Sequence, residues 1–207
     1  MKKVLVLAPH TDDGELGCGG TVARLLEEGS EVHFAVFSTC AESLPAGFPA
    51  DELKTEFLSA MESYGIPAER IAIFDFPVRH FPTHRQDILE EMVRLNRRIA
   101  PDLVFAPSLH DVHQDHHTIA EEAIRAFKHT SILGYEEPWN NLTFNNQVYV
   151  TLEERHVEKK IAAVERYISQ RGRIYASGEY IRALAMSHGV QIGWQYAEVF
   201  ETERWIL

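Results

Sequence analysis

The sequence is short of cysteine, of basic side chains and of long apolar runs. Its 207 residues hold two cysteines, Cys18 and Cys40. They are too few and too far apart for a disulfide framework or a thiolate metal site, which suits a reducing cytoplasm. Lys and Arg number 20 against 31 Asp and Glu, a net charge of −11 with histidine neutral. That deficit argues against bare nucleic-acid backbone or an anionic membrane surface as partner, because Lys and Arg do that work. It leaves room for a divalent cation and for neutral or cationic small molecules. No stretch is long and apolar enough to span a bilayer. Lys2-Lys3 followed by Val4–Ala8 begins like a leader, but Pro9-His10 and then Asp12 and Asp13 end the apolar run too early. A hydrophobic content of 45% with 25% charged residues excludes wholesale disorder. The length suits one domain over residues 1–207. What is plentiful is histidine: there are 11, four of them between His110 and His117.

Short β-branched runs alternate with helical periods. Strands are expected at Val4–Ala8, Glu31–Ser38, Ile71–Phe76 and Leu103–Ala106. Helices are expected at Thr21–Glu28, Asp51–Tyr64, Gln86–Ala100 and Thr118–Lys128. Later come strands at Ile132–Tyr135 and Val148–Leu152, a long helix over Glu154–Gln170, a helix around Tyr180–Ser187 and a strand around Ala197–Ile206. Four strand–helix units in succession predict an α/β fold: a doubly wound, mostly parallel sheet with helices on both faces.

Two clusters carry chemistry, each directly after an expected strand. The first is Pro9-His10-Thr11-Asp12-Asp13. His10 and Asp13 suit zinc or iron(II), with Asp12 left over as a base. A helix N-terminus explains one aspartate there, but not His10 and both carboxylates. The second is His110-Asp111-Val112-His113-Gln114-Asp115-His116-His117. In it His110 and His117 read as surface or capping residues. In the common doubly wound order the first and fourth strands are neighbours whose crossovers diverge, so these loops face each other across a crevice. A three-ligand site of His10, Asp13 and His116 leaves a position for water, whose pKa a metal lowers to about 7. Asp12 then serves as base. A protonated His113, with Asp115 or Asp111 as orienting group, stabilises the oxyanion or the leaving amine. Asp111 is also a candidate for contact with substrate. This is equipment for metal-assisted amide hydrolysis.

The Gly-rich run Gly14–Gly20 fails the dinucleotide pattern, since Val22 stands at its last glycine position, and no P-loop or G-x-S-x-G elbow is present. The pattern His10-Thr11-Asp12 with a distant histidine mimics the facial triad of non-haem iron oxygenases. The helical periodicities argue against their β-scaffold.

These motifs resemble the LmbE-like (PIG-L) zinc-dependent N-acetylglucosaminyl deacetylases. The resemblance extends through Arg79-His80-Phe81-Pro82, Arg85, Pro101–Val104, Lys160 to Ser169-Gln170, and Tyr196–Phe200, nearly the whole chain. It implies a Rossmann-like fold and zinc at His10, Asp13 and His116, although a His₂Asp ligand set also accepts iron(II). It also implies Asp12 as base, His113 as catalytic histidine, and an N-acetylated amino sugar, often within a conjugate, as substrate. Family members are often oligomeric, which leaves a homo-oligomer open. Thr11 and Gln114 stand where many members carry proline, and His188-Gly189 where Arg-Gly is expected. Arg79, beyond the third strand, is a candidate for a sugar hydroxyl or an anionic substituent. Trp139 is expected in core packing or at a partner surface rather than stacked on a sugar. The rival functions are a non-catalytic metal- or sugar-binding protein on the same scaffold and a dinucleotide oxidoreductase.

Overall fold

The computed structural model describes residues 2–207. In chain order the elements are β1 (Lys3–Ala8), α1 (Asp13–Glu27), β2 (Glu31–Val36), α2 (Glu52–Tyr64), β3 (Ile71–Ile73), α3 (Arg85–Ile99) and β4 (Leu103–Pro107). Then follow α4 (Gln114–Ala126), β5 (Ser131–Tyr135), β6 (Val148–Leu152), α5 (Glu154–Val164), α6 (Gly178–Val190) and β7 (Tyr196–Arg204). The seven strands form one sheet in the order β3-β2-β1-β4-β5-β7-β6. The first five are parallel, and β7 runs antiparallel between β5 and β6. Strand β1 is buried from Val4 to Ala8, the continuous apolar pattern of a strand covered on both faces. Val4, Val6 and Ala8 pack toward α1, α2 and α5, while Leu5 and Leu7 pack toward α3 and α4. The chain therefore has the expected α/β fold. No helix among the described residues is long and apolar enough to cross a membrane.

Several boundaries differ from expectation for identifiable reasons. Helix α1 begins at Asp13, eight residues before Thr21. The glycines that read as a loop are helical and serve close approach. A Cβ at Gly17 would lie 2.3 Å from the Tyr135 ring, and one at Gly20 would lie 2.6 Å from Leu152. The helix kinks at Cys18 (φ −141°, ψ 18°), and there the backbone N–H groups of Gly20 and Thr21 donate to the Glu198 carboxylate at 2.9 and 2.6 Å. Lys160 donates to the Leu16 carbonyl at 2.6 Å and to Glu198 at 2.7 Å. One buried ion pair thus satisfies the polar groups that the kink releases.

Helix α4 begins at Gln114 rather than Thr118, because His113 is its N-cap and accepts the Asp115 N–H through Nδ1 at 3.2 Å. Helix α5 ends at Val164 rather than Gln170. Beyond it the buried Tyr167 turns its hydroxyl to the Thr11 carbonyl and Glu15. Strand β3 is three residues long, although the Phe74 and Phe76 N–H groups still donate to the neighbouring Val36 and Phe37 carbonyls.

Candidate active site

Strands β1 and β4 are adjacent and parallel, and their following segments meet at the carboxyl edge of the sheet. His10 and Asp13 come from the β1–α1 turn and His116 from the first turn of α4. His10 Nδ1 lies 3.1 Å from Asp13 Oδ2, His116 Nε2 lies 3.2 Å from the same oxygen, and the two ring nitrogens are 3.2 Å apart. A tetrahedral zinc site with bonds of about 2.0–2.1 Å places its donors about 3.3 Å apart. The three atoms thus already outline one face of such a site.

The far side of each ring fixes which nitrogen faces the triangle. His10 Nε2 donates to Asp115 Oδ2 at 3.0 Å, and His116 Nδ1 donates to Asp111 Oδ2 at 2.8 Å. Carboxylates behind histidine ligands fix the tautomer and raise ligand basicity. The other nitrogen of each imidazole faces the Asp13 carboxylate, a buried meeting that needs a proton or a metal cation between the donors. Burial opposes protonation of His116, but the charges of Asp13 and Glu137 outweigh it and hold its pKa well above the ordinary value. Burial likewise opposes ionisation of Asp13, which His116 and His10 reverse, holding it well below the carboxylate range. The donor set and its electrostatics fit a divalent metal.

Asp12 lines the same pocket, and its side chain makes no capping bond to α1. Burial and then the Asp13 charge raise its pKa to about 6, against the pull of Arg173. A carboxylate so tuned is a competent general base near neutrality. His113 also lines the pocket. Burial, then the charges of His116 and His10, lower its pKa, which favours the neutral ring over the protonated one expected. Its Nδ1 accepts the Asp115 N–H, which leaves the ring proton on Nε2.

The two outer aspartates hold other partners than those expected. The Asp115 carboxylate makes no hydrogen bond to the His113 ring, which only the Asp115 main-chain N–H reaches. It is fully buried, and besides His10 it accepts the main-chain N–H of Arg79 at 2.5 Å and of Phe81 at 3.2 Å. Asp111 was a candidate for substrate contact, but it is buried, with one oxygen on His116 and the other on the His113 N–H at 2.8 Å. Both carboxylates support the site from behind.

The pocket has a volume of about 260 Å³. Arg79 and Arg173 line it, as do Gln170 and the stacked pair Trp139–Tyr175, whose rings lie 4.0 Å apart at 16°. Trp139 packs against the core cluster formed by α5, α6 and β7, as expected, and also forms part of the pocket wall. Sequence reasoning missed Glu137, Gln170, Arg173 and Tyr175. Glu137 is buried against the site, 3.6 Å from His116 Nδ1, and burial followed by the Asp13 charge raises its pKa well above the usual range. Ligand atoms of Asp13, His116 and Glu137 gather within 4.8 Å, as do those of His10, His113 and His116. His188 stands outside the pocket and pairs with Glu136 at 3.2 Å, which ties α6 to the segment carrying Glu137 and Trp139. His110 pairs with Glu201 at 3.0 Å, away from the triangle.

Comparison with known proteins agrees with this architecture. The family model described as PIG-L, GlcNAc-PI de-N-acetylase, matches residues 5–127, the span that holds both clusters. An uncharacterized deacetylase, YaiS, of Escherichia coli K12 is 27% identical over 81% of this chain and 91% of its own. The diacetylchitobiose deacetylase of Thermococcus kodakarensis is 25% identical over 96% of this chain and 82% of its own. The crystal structure of the conserved protein TT1542 from Thermus thermophilus superposes with a TM-score of 0.82 at 27% identity, covering 100% of this chain and 97% of that one. With more than half of its length matched by the family model, deacetylases among its relatives and the paired strand-end clusters in place, the chain belongs to the PIG-L family.

Proposed function

We propose that this protein is a metal-dependent hydrolase, its whole chain forming one deacetylase domain. It removes the N-acetyl group from an N-acetylglucosamine-type amino sugar or its conjugate. The observation that carries this reading is the convergence of His10, Asp13 and His116 within 3.2 Å beside Asp12 in one pocket. Those three residues would hold the metal, with zinc the expected ion and iron(II) accepted by the same ligand set. When bound there, the ion lowers the pKa of a water to about 7 and polarises the amide carbonyl.

The chain's own residues carry the protons. Asp12 takes a proton from the attacking water as the new C–O bond forms. The Nε2–H of neutral His113 donates to the developing oxyanion. Asp12 then returns the proton to the amide nitrogen as the C–N bond breaks, giving acetate and a free amine. A pure binding protein needs neither Asp12 nor His113. The two thiols, Cys18 and Cys40, are buried and unpaired, in keeping with a cytoplasmic setting.

Acetate release from N-acetylglucosamine and its glycosides, with metal analysis of the same preparations, tests the proposal. A chelator should abolish release. Asp12→Asn should lower kcat by about 10²- to 10⁴-fold while retaining the metal, and His116→Ala should lose both. Full activity in Asp12→Asn would refute the mechanism. A protein that holds metal but releases no acetate from any acetylated sugar would be the binding protein instead.

A further inference from the structure

The outer wall of the pocket narrows the substrate beyond the deacetylase reading, on which this inference rests. In this acidic chain Arg24, Arg85, Arg94, Arg125, Arg155 and Arg182 each pair with a carboxylate. Arg79 and Arg173 close no such pair among the described residues, a state they share with exposed arginines such as Arg97 and Arg98; what sets them apart is that both line the one pocket. Asp12 feels the charge of Arg173, but no ion pair forms between them.

Neither arginine is there casually. Arg79 sits at φ 69°, a conformation disfavoured for a side-chain-bearing residue. It is held there because its N–H donates to the buried Asp115 carboxylate at 2.5 Å. The Arg173 guanidinium lies 5.7 Å from the centroid of the Tyr175 ring and donates to that ring's hydroxyl, and Tyr175 is itself fixed by its stack on Trp139. The two approach from different elements. Arg79 lies on the connection entering α3, and Arg173 on the connection between α5 and α6, helices that cover opposite faces of the sheet.

The floor between them carries the carboxylates of Asp12 and Asp13, which repel an anion. Both arginines are exposed, so they stand at the mouth. A ligand whose acetamide reaches the donor triangle presents its opposite end to two guanidiniums that lack counterions. Guanidinium recognises phosphate and carboxylate through paired, charge-assisted hydrogen bonds. We propose that the substrate is an anionic N-acetylated amino sugar, its phosphate or carboxylate held between Arg79 and Arg173 at the pocket mouth. The net charge of −11 favours neutral or cationic ligands, whereas Arg79 and Arg173 give an anion two partners at this mouth.

The test measures acetate release by the metal-loaded enzyme from N-acetylglucosamine and its methyl glycoside, against the 1-phosphate, the 6-phosphate and the carboxylate-bearing N-acetylmuramic acid. At least one charged sugar should exceed the neutral ones in kcat/KM by tenfold or more, and the arms separate phosphate from carboxylate. That preference should shrink at least tenfold in Arg79→Gln and in Arg173→Gln and weaken with added salt. It should persist in Arg97→Gln, on the exposed side of α3. Equal kcat/KM for charged and neutral sugars, or a preference that survives both substitutions, overturns the inference and leaves the deacetylase reading intact. No acetate from any sugar overturns both. As a binding readout, glucosamine 6-phosphate should raise the Tm more than glucosamine does in the parent protein and no more than glucosamine in Arg173→Gln. Equal shifts in the parent count against a phosphate.

Discussion

One oxygen of Asp115 accepts both the His10 ring N–H and the Arg79 main-chain N–H, and the other accepts from Phe81. Asp115→Asn replaces one acceptor oxygen with a donor. Loss of a partner behind a histidine ligand typically costs about 10- to 100-fold in metal affinity, and competition with a chromophoric chelator should show a fall of that size. Unchanged affinity would remove Asp115 from the site's support. Glu15 makes a second prediction. Burial raises its pKa from 4.5 to about 8, so the native state of the metal-free protein keeps a proton that the unfolded chain has lost. Stability should therefore fall as pH rises from about 4.5 to 8. Glu15→Gln keeps an acceptor for the Tyr167 hydroxyl without that dependence, and should be about 4 kcal/mol more stable than the parent at pH 8 and equal to it near pH 4. Denaturant titrations at the two pH values check this. At this scale His10, Asp13 and His116 were legible, because ligating side chains crowd two strand ends. The partners of Asp111 and Asp115 were not. Adjacent residues on a helix point about 100° apart, so Asp115 faces His10 while its neighbour His116 turns toward Asp111.

Among the elements, strands and helices with a clear period were readable, and the errors gather where packing overrides local preference. Glycine disfavours helix, so the run Gly14–Gly20 read as a loop. Its helical state is enforced by Tyr135, Leu152 and the Tyr64 hydroxyl, which leave no room for a Cβ at Gly17, Gly20 and Gly19. Gly17→Ala should accordingly destabilise despite its better helix propensity, by about 1–3 kcal/mol, since the Tyr135 ring must move while its hydroxyl is tied to the Leu7 carbonyl at 3.1 Å. Gly29→Ala makes the contrast: its φ of 81° is unfavourable to alanine, but no atom lies within 4 Å of the added methyl. Arg173, Gln170 and Tyr175 escaped notice for a different reason. Gln170 and Tyr175 sit on short 3₁₀ turns and Arg173 just before the second, segments too short to carry an amphipathic period, and only the packing of α5 onto α1 and α2 brings them over the pocket.

For the molecule as a whole, a mostly parallel sheet followed from alternating strand and helix periods, and the adjacency of β1 and β4, with the crevice at their ends, from the common doubly wound order. The position of β7 between β5 and β6 did not, since no local pattern encodes which strands pair. That strand carries Glu198, whose bond to Lys160 joins α5, β7 and the kink of α1. Lys160→Met should cost about 3–5 kcal/mol, because it strands a buried carboxylate. Lys159→Met, one residue away and exposed, should change stability by less than about 0.5 kcal/mol. Urea titration of both variants checks the difference. The same strand bears on how the protein folds. The backbone N–H groups of Gly20 and Thr21 find their acceptor 178 and 177 residues later, so helix α1, which begins beside the proposed metal ligands, stays incomplete until β7 has emerged. Contacts this distant in sequence form slowly. Metal-binding competence should therefore be a late event in biogenesis, acquired when the final strand inserts into the sheet rather than when the ligand motifs themselves are made.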